Sequence, residues 1–358
     1  MAAVAAADTT VAAVAVVDTT VAVAAVVDTT VAVAAEETAG KPQTIFENPK
    51  EPNTAPFFMC LIFLPRMNPR ILLNTLLASL LLQACAEPTT DASTPTAAPI
   101  SNKIPYPLQQ DTTLQIGGMA VSILLPEGPV RADLLVLPGW NYGRMDWCQR
   151  TQLCQAARAA GYRLVLPDMH RTLYPWRIYP ETRADFRAYA TRPWIWDTLI
   201  HTLASQHGVL APGGKNLVMG LSTGARGASL LCLDRPGYFA AVALLSGDYD
   251  LPSMPQERIS TATYGPYSQH PARWADSLEN PMSRAARWRT PVYIGHGLAD
   301  RVIDPGQSRQ FHAALGQGAG VATVLHPASG AGHDYAYWSS ETEAILAFFR
   351  QQLGGQVK

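Results

Sequence analysis

Residues 216–233 read as a short apolar run, a tight turn and an Ala/Ser/Leu-rich segment able to form a helix. The turn is Gly220-Leu221-Ser222-Thr223-Gly224. Glycines two before and two after the serine are what such a strand-to-helix turn needs, because a side chain at either place would collide with the backbone. The turn lifts the Ser222 hydroxyl clear of the strand end. It also aims the first N–H groups of the helix at whatever that hydroxyl meets. G-x-S-x-G arises in Gly-rich loops as well, so the strand before it and the helix after it carry the reading.

From about residue 113 the chain keeps the same rhythm. Candidate strands lie at 120–125, 132–137, 163–167, 216–220, 240–245, 291–296 and 321–326, with candidate helices at 146–160, 196–207, 223–233, 308–315 and 341–353. In the last of these Ala344, Ile345, Phe348 and Phe349 share one face, as core packing requires. Short strands alternating with longer helices predict an α/β domain with a mostly parallel sheet covered on both sides. Ligands of such sheets bind where the strands end. With 358 residues and 48% hydrophobic composition the chain can bury one core of this kind. A net charge of -1 and the lack of a basic stripe leave no electrostatic argument for nucleic acid.

Two segments downstream of Ser222 complete a pattern. Pro291-Val292-Tyr293-Ile294-Gly295-His296-Gly297-Leu298-Ala299-Asp300 is a strand and a turn ending in an acid; Gly330-Ala331-Gly332-His333 comes after the next strand. With Ile303 and the pair Gln307-Ser308, this stretch resembles the α/β-hydrolases, in particular the dienelactone-hydrolase and prolyl-oligopeptidase branch. The resemblance covers about 113–353 and implies an α/β-hydrolase fold with a possible small cap. It also implies a triad of Ser222 as nucleophile, His333 as base and Asp300 as the acid that orients it. Serine needs that base, since its hydroxyl is a poor nucleophile alone. The oxyanion would be held by the N–H groups of Thr223 and Trp140, the latter after Leu137-Pro138-Gly139. Pro138 stands where the family has histidine, and the Tyr142 hydroxyl is an alternative donor. Dienelactone hydrolases proper use cysteine as nucleophile, so Ser222 argues against that particular activity.

Other residues compete for these roles. Asp304 reads as a helix cap before Gln307. Asp248 and Asp250 come after the preceding strand, where a minority of hydrolases keep their acid. His296 reads as a structural histidine at the strand end, and His326 as part of the last strand. No His/Cys/Asp cluster has zinc spacing, so neither a metal nor another cofactor is expected.

Two insertions should rim the site. Residues 170–196 carry Tyr174, Trp176, Tyr179, Phe186, Tyr189, Trp194 and Trp196, interleaved with Arg171, Arg177, Arg183 and Arg187. They form either an aromatic wall with an arginine for a substrate carboxylate, which makes Trp176 and Arg177 candidate contacts beside Tyr142, or a loop that packs its rings on the body. Residues 249–288, with Tyr264, Tyr267 and Trp274, form a possible cap too polar for a lipase lid.

The first third has a different character. Asp8-Thr9-Thr10, Asp18-Thr19-Thr20 and Asp28-Thr29-Thr30 punctuate Ala/Val runs at a period of ten. Residues 1–66 read as a low-complexity tail or as the product of an over-extended start codon, the second favoured by the leader-like segment that begins at Met67. Met67-Asn68-Pro69-Arg70 and the apolar run 71–82 have the make-up of a signal peptide. Leu82-Gln83-Ala84-Cys85 is similar to a bacterial lipobox, which implies cleavage after 84, lipid on Cys85 and an exported, membrane-anchored protein. The Thr/Pro/Ala/Ser-rich stretch after it reads as a flexible tether to about 112. Cys148 and Cys154, six apart on one helix, point to different sides and should not pair, and Cys232 has no obvious partner.

Three functions remain. The leading one is a serine hydrolase that cleaves carboxylic esters of small or medium substrates through an acyl-enzyme. The second is a serine peptidase of the oligopeptidase type, and the third a surface lipoprotein that keeps the fold without the chemistry.

Overall fold

The computed structural model describes residues 106–188, 191–315 and 320–354. The chain divides after Thr94 into two units, and all described residues belong to the second. The leader, Cys85, most of the tether and Tyr189 lie outside the described residues.

The strands are β1 (Thr112–Ile116), β2 (Met119–Leu124), β3 (Ala132–Leu137), β4 (Tyr162–Pro167), β5 (Asn216–Leu221), β6 (Ala241–Leu245), β7 (Val292–Gly297) and β8 (Thr323–Ala328). They form one sheet in the order β1-β2-β4-β3-β5-β6-β7-β8. β1, β2 and β4 pair antiparallel, and every neighbour from β4 to β8 is parallel. Every residue of β3, β4, β5, β6 and β7 is buried, as parallel strands covered on both faces must be. Alternation along each strand divides the core. Leu135 and Val218 point into one apolar cluster, while Leu134 and Leu217 point into the other.

The helices are α1 (Asp146–Arg150), α2 (Leu153–Ala159), α3 (His201–His207), α4 (Thr223–Asp234), α5 (Arg258–Tyr264), α6 (Pro271–Trp274), α7 (Gly306–Leu315), α8 (Tyr335–Ser340) and α9 (Thr342–Gln352). α4 runs through the core with Thr223 to Leu233 all buried. The register sets Leu137 beside Gly220, Leu221 beside Leu245 and Leu245 beside Gly295, so four strands end together and their loops open on one edge.

Three sequence expectations change. β1 lies outside the expected strands; it is a half-exposed edge strand whose partner is the next strand in the chain. The segment before α3 opens with a π-helical turn, Trp194–Ile200. The helix expected over 146–160 is broken. Thr151 is extended (φ -139°, ψ 170°), its hydroxyl donates to the Trp147 carbonyl, and it accepts the Leu153 N–H at 3.1 Å. A threonine that offers the backbone such bonds competes with the helix. The break brings Cys148 and Cys154 to a Cα separation of 5.0 Å, and they form a disulfide. The expectation that they stay apart rested on one continuous helix and is corrected. Cys232 is a buried free thiol whose pKa burial pushes up.

Candidate active site

Ser222 sits between β5 and α4 at φ 52° and ψ -124°, a conformation costly for any residue with a side chain. Its N–H donates to the Leu245 carbonyl at 2.8 Å, which ties the turn to the neighbouring strand. The two glycines are obligatory here. A Cβ on Gly220 would stand 2.2 Å from the Gly224 carbonyl oxygen, and one on Gly224 would stand 2.5 Å from the carbonyl oxygens of Leu137 and Pro138.

The cavity at this edge has a volume of about 310 Å³ and is lined by Ser222 and His333, with Trp140, Tyr142 and Thr223 beside them. Leu173 from the first insertion, Met254, Glu257 and Ile259 from the second, and Asp248, Val302 and Ile303 complete the wall.

The Asp300 carboxylate organises the basic side of the site. Its Oδ2 accepts His333 Nδ1–H at 2.7 Å and His296 Nε2–H at 3.1 Å, and its Oδ1 accepts the N–H groups of Val302 and Ile303 at 2.8 and 2.9 Å. Burial works to raise its pKa, yet hydrogen bonds from His296, His333 and Ile303 overcome that and hold it well below the usual carboxylate range. His333 therefore carries its proton on Nδ1 and presents Nε2 as the basic nitrogen. Its ring meets Trp338 edge to face at 5.1 Å.

The competitors fall into structural places. His296 is buried, donating from Nε2 to Asp300 and accepting the Ser308 hydroxyl at Nδ1, 2.7 Å away. Asp304 Oδ1 accepts the Gly306 N–H at 2.7 Å at the start of α7, the cap expected of it. His326 pairs with Glu341 at 2.9 Å. Asp250 accepts from the Asn280 amide at 3.2 Å. Asp248 reaches the cavity wall, but its carboxylate faces Arg226 at 3.5 Å; burial raises its pKa and Arg226 opposes the rise.

On the other side of the serine, the loop after β3 is pinned. The Tyr174 hydroxyl donates to the Pro138 carbonyl at 2.7 Å, Asn141 N–H to the His170 carbonyl at 2.9 Å, and Tyr142 N–H to the Gly139 carbonyl at 3.2 Å. Trp140 and Thr223 both line the cavity, on either side of Ser222. The Tyr142 ring packs edge to face on Tyr335 at 5.2 Å.

Trp176 and Arg177, read from the sequence as substrate contacts, do not line the cavity, and that placement is corrected. The Trp176 N–H donates to the Glu279 carboxylate at 3.0 Å, and Arg177 is half-exposed and paired with Asp276 at 3.4 Å. The first insertion packs its rings inward: Tyr174, Tyr179 and Phe186 are buried. Tyr174, which pins the loop after β3, is not singled out by the sequence. Nothing in a run of aromatics marks the one whose hydroxyl reaches a carbonyl 36 positions earlier. Among the described residues no group of three or more His, Cys, Asp or Glu side chains could hold a metal.

With a parallel sheet, a strained serine after its central strand and a His–Asp pair at the same edge, the chain has the α/β-hydrolase fold, and similar structures agree. An S-formylglutathione hydrolase from Agrobacterium tumefaciens is 17% identical with a TM-score of 0.55, covering 68% of this chain and 95% of its own. MPT51 from Mycobacterium tuberculosis is 16% identical, TM-score 0.55, covering 69% and 99%. FphF from Staphylococcus aureus, described as a fluorophosphonate-binding serine hydrolase, is 16% identical, TM-score 0.50, covering 68% and 99%. Residues 200–356 match the prolyl oligopeptidase family. No curated protein matches the chain at a significant level. Together these findings agree on the α/β-hydrolase fold.

Proposed function

We propose that the protein cleaves carboxylic esters of small or medium size through an acyl-enzyme on Ser222, with His333 and Asp300 completing the triad. The observation that carries this reading is the pairing of His333 Nδ1 with buried Asp300 on the cavity that also holds Ser222. Nε2 takes the Ser222 proton as the hydroxyl oxygen attacks the ester carbon. The oxyanion accepts from the N–H groups of Trp140 and Thr223, each worth roughly 3 kcal/mol of barrier. Protonated His333 then gives its proton to the departing alcohol, and water, activated by the same nitrogen, releases the acid. A cavity of about 310 Å³ with mostly apolar walls suits a short acyl group.

The match to the prolyl oligopeptidase family favours peptide bonds as a second reading. Lipid attachment at Cys85 and export to a bacterial cell envelope belong to the same proposal. The Cys148–Cys154 disulfide is in keeping with an oxidising compartment.

Fluorophosphonate labelling and subsequent peptide mapping test the chemistry. Adduct on Ser222, lost in Ser222→Ala together with several orders of magnitude of p-nitrophenyl ester turnover, supports it. Unlabelled wild-type protein that also ignores short esters would mean a fold kept for binding. Parallel turnover of short esters and blocked peptides decides between the two catalytic readings.

A further inference from the structure

A cavity larger than the one at Ser222 lies at the opposite edge of the sheet. Arg131 immediately precedes β3, Tyr162 opens β4 and Lys215 immediately precedes β5, three strands adjacent in the order β4-β3-β5. The register pairs Ala132 with Tyr162 and Asp133 with Asn216, so these residues gather at the strand starts. Arg350, near the end of α9, joins them around a cavity of about 530 Å³, against about 310 Å³ at the serine.

The chemistry of this lining is one-sided. Arg131, Lys215 and Arg350 are exposed, and none forms an ion pair or side-chain hydrogen bond with a described residue, whereas Arg144, Arg158 and Arg163 all have carboxylate partners. Among the described residues no acidic side chain lines the cavity. Tyr162 is 1% exposed, and its hydroxyl is buried without a hydrogen-bond partner among the described residues. Tyr162 lines the cavity together with Arg131 and Arg350; burial raises its pKa and the charges of Arg350 and Arg131 oppose the rise. A buried hydroxyl without a partner is costly, and a bound acceptor is one way of completing it.

We propose that this cavity is a binding site for a phosphate-type oxyanion, held by Arg131, Lys215 and Arg350 and completed by a hydrogen bond from the Tyr162 hydroxyl. Guanidinium groups match phosphate oxygens in pairs, and the hydroxyl gains the acceptor it lacks. Val130 and Leu353 add an apolar rim that suits a phosphate ester with a carbon stem. The site is independent of the chemistry at Ser222.

Two probes separate the sources of such a phosphate. Inorganic phosphate is titrated into the full chain by calorimetry at constant ionic strength, and flotation compares phosphatidylglycerol with phosphatidylcholine vesicles. The variants are Arg131→Ala/Arg350→Ala and Tyr162→Phe, with fluorophosphonate labelling and thermal melts as fold controls. Tyr162→Phe removes only the orphaned hydroxyl, so its melting temperature should hold or rise. Saturable phosphate binding weakened about tenfold or more by either variant establishes the site and a soluble ligand. Binding to phosphatidylglycerol vesicles that the same variants weaken, without response to free phosphate, establishes it with a lipid headgroup. Absence of both, or binding equal in wild type and variants, overturns the proposal.

Discussion

Asp300→Asn tests the arrangement at its centre. In the native site one carboxylate oxygen, Oδ1, serves two backbone N–H groups, and Oδ2 serves two imidazole N–H groups. An asparagine can keep its carbonyl oxygen on Val302 and Ile303, but its NH2 then faces His296 and His333, donor against donor. His296 has a second acceptor in the Ile303 carbonyl at 3.1 Å and can stay as it is. His333 must move its proton to Nε2, the nitrogen that should receive the Ser222 proton. The base is then lost while the nucleophile, the cavity and the two N–H donors remain. A wrong tautomer of this kind costs about ten-thousandfold in kcat, or about 5 kcal/mol of barrier. Stability should fall by only about 2 kcal/mol, the worth of one hydrogen bond to a charged group.

The assay is the burst of p-nitrophenol from p-nitrophenyl acetate, read beside a urea melt. Asp300→Asn should lose the burst and keep a cooperative transition. Asp248→Asn, the control at the rival acid, should retain the burst. A kcat for Asp300→Asn within tenfold of wild type, or a collapse confined to Asp248→Asn, would refute the assignment. The depressed pKa adds a pH signature. A carboxyl whose folded pKa lies below its unfolded value of about 3.9 gives stability that is complete above that value, and it loses this stability as the pH falls through the folded pKa. Wild type should therefore weaken on acidification below about pH 4, and Asp300→Asn should show less of that slope.

Neighbouring structure supplies two further outcomes. Cys148→Ser/Cys154→Ser, or reduction of the wild type, removes a cross-link closing a short loop, which should cost about 2 kcal/mol and lower the melting temperature by roughly 5 °C; an unchanged melt would mean the bond does not constrain the unfolded chain. Tyr174→Phe frees the Pro138 carbonyl and loosens the loop bearing the Trp140 N–H, so kcat should fall several-fold with KM little changed; a change in KM alone would show that Tyr174 shapes binding and not the oxyanion donor.

Some of this architecture could be read from the chain because the constraint was local. The glycines around Ser222 answer to collisions with backbone at a single turn, and the buried strands announce themselves as apolar runs. The segment from Pro291 to Ser308 is legible for the same reason: His296, Asp300, Ile303 and Ser308 bond to one another within twelve residues of sequence. What stayed hidden depends on partners far apart. Tyr174 differs from its aromatic neighbours only in the carbonyl its hydroxyl reaches, and Trp176 is claimed by Glu279, 103 residues on. Glu279 also accepts from the Tyr264 hydroxyl at 3.2 Å, and its carbonyl accepts from Arg226 on α4, so the second insertion grips both the first and the nucleophile's helix. Leu173, Tyr179, Leu251, Tyr264 and Trp274 form an apolar cluster of their own. The two insertions therefore act as one cap, and its buried Glu279, whose pKa burial raises against the pull of Arg192 and Arg226, links the cap to the helix that begins at the serine. Substrate preference in this protein should track the fit of that shared cap, because Leu173 and Ile259 reach the cavity from opposite insertions and pack in the same apolar cluster.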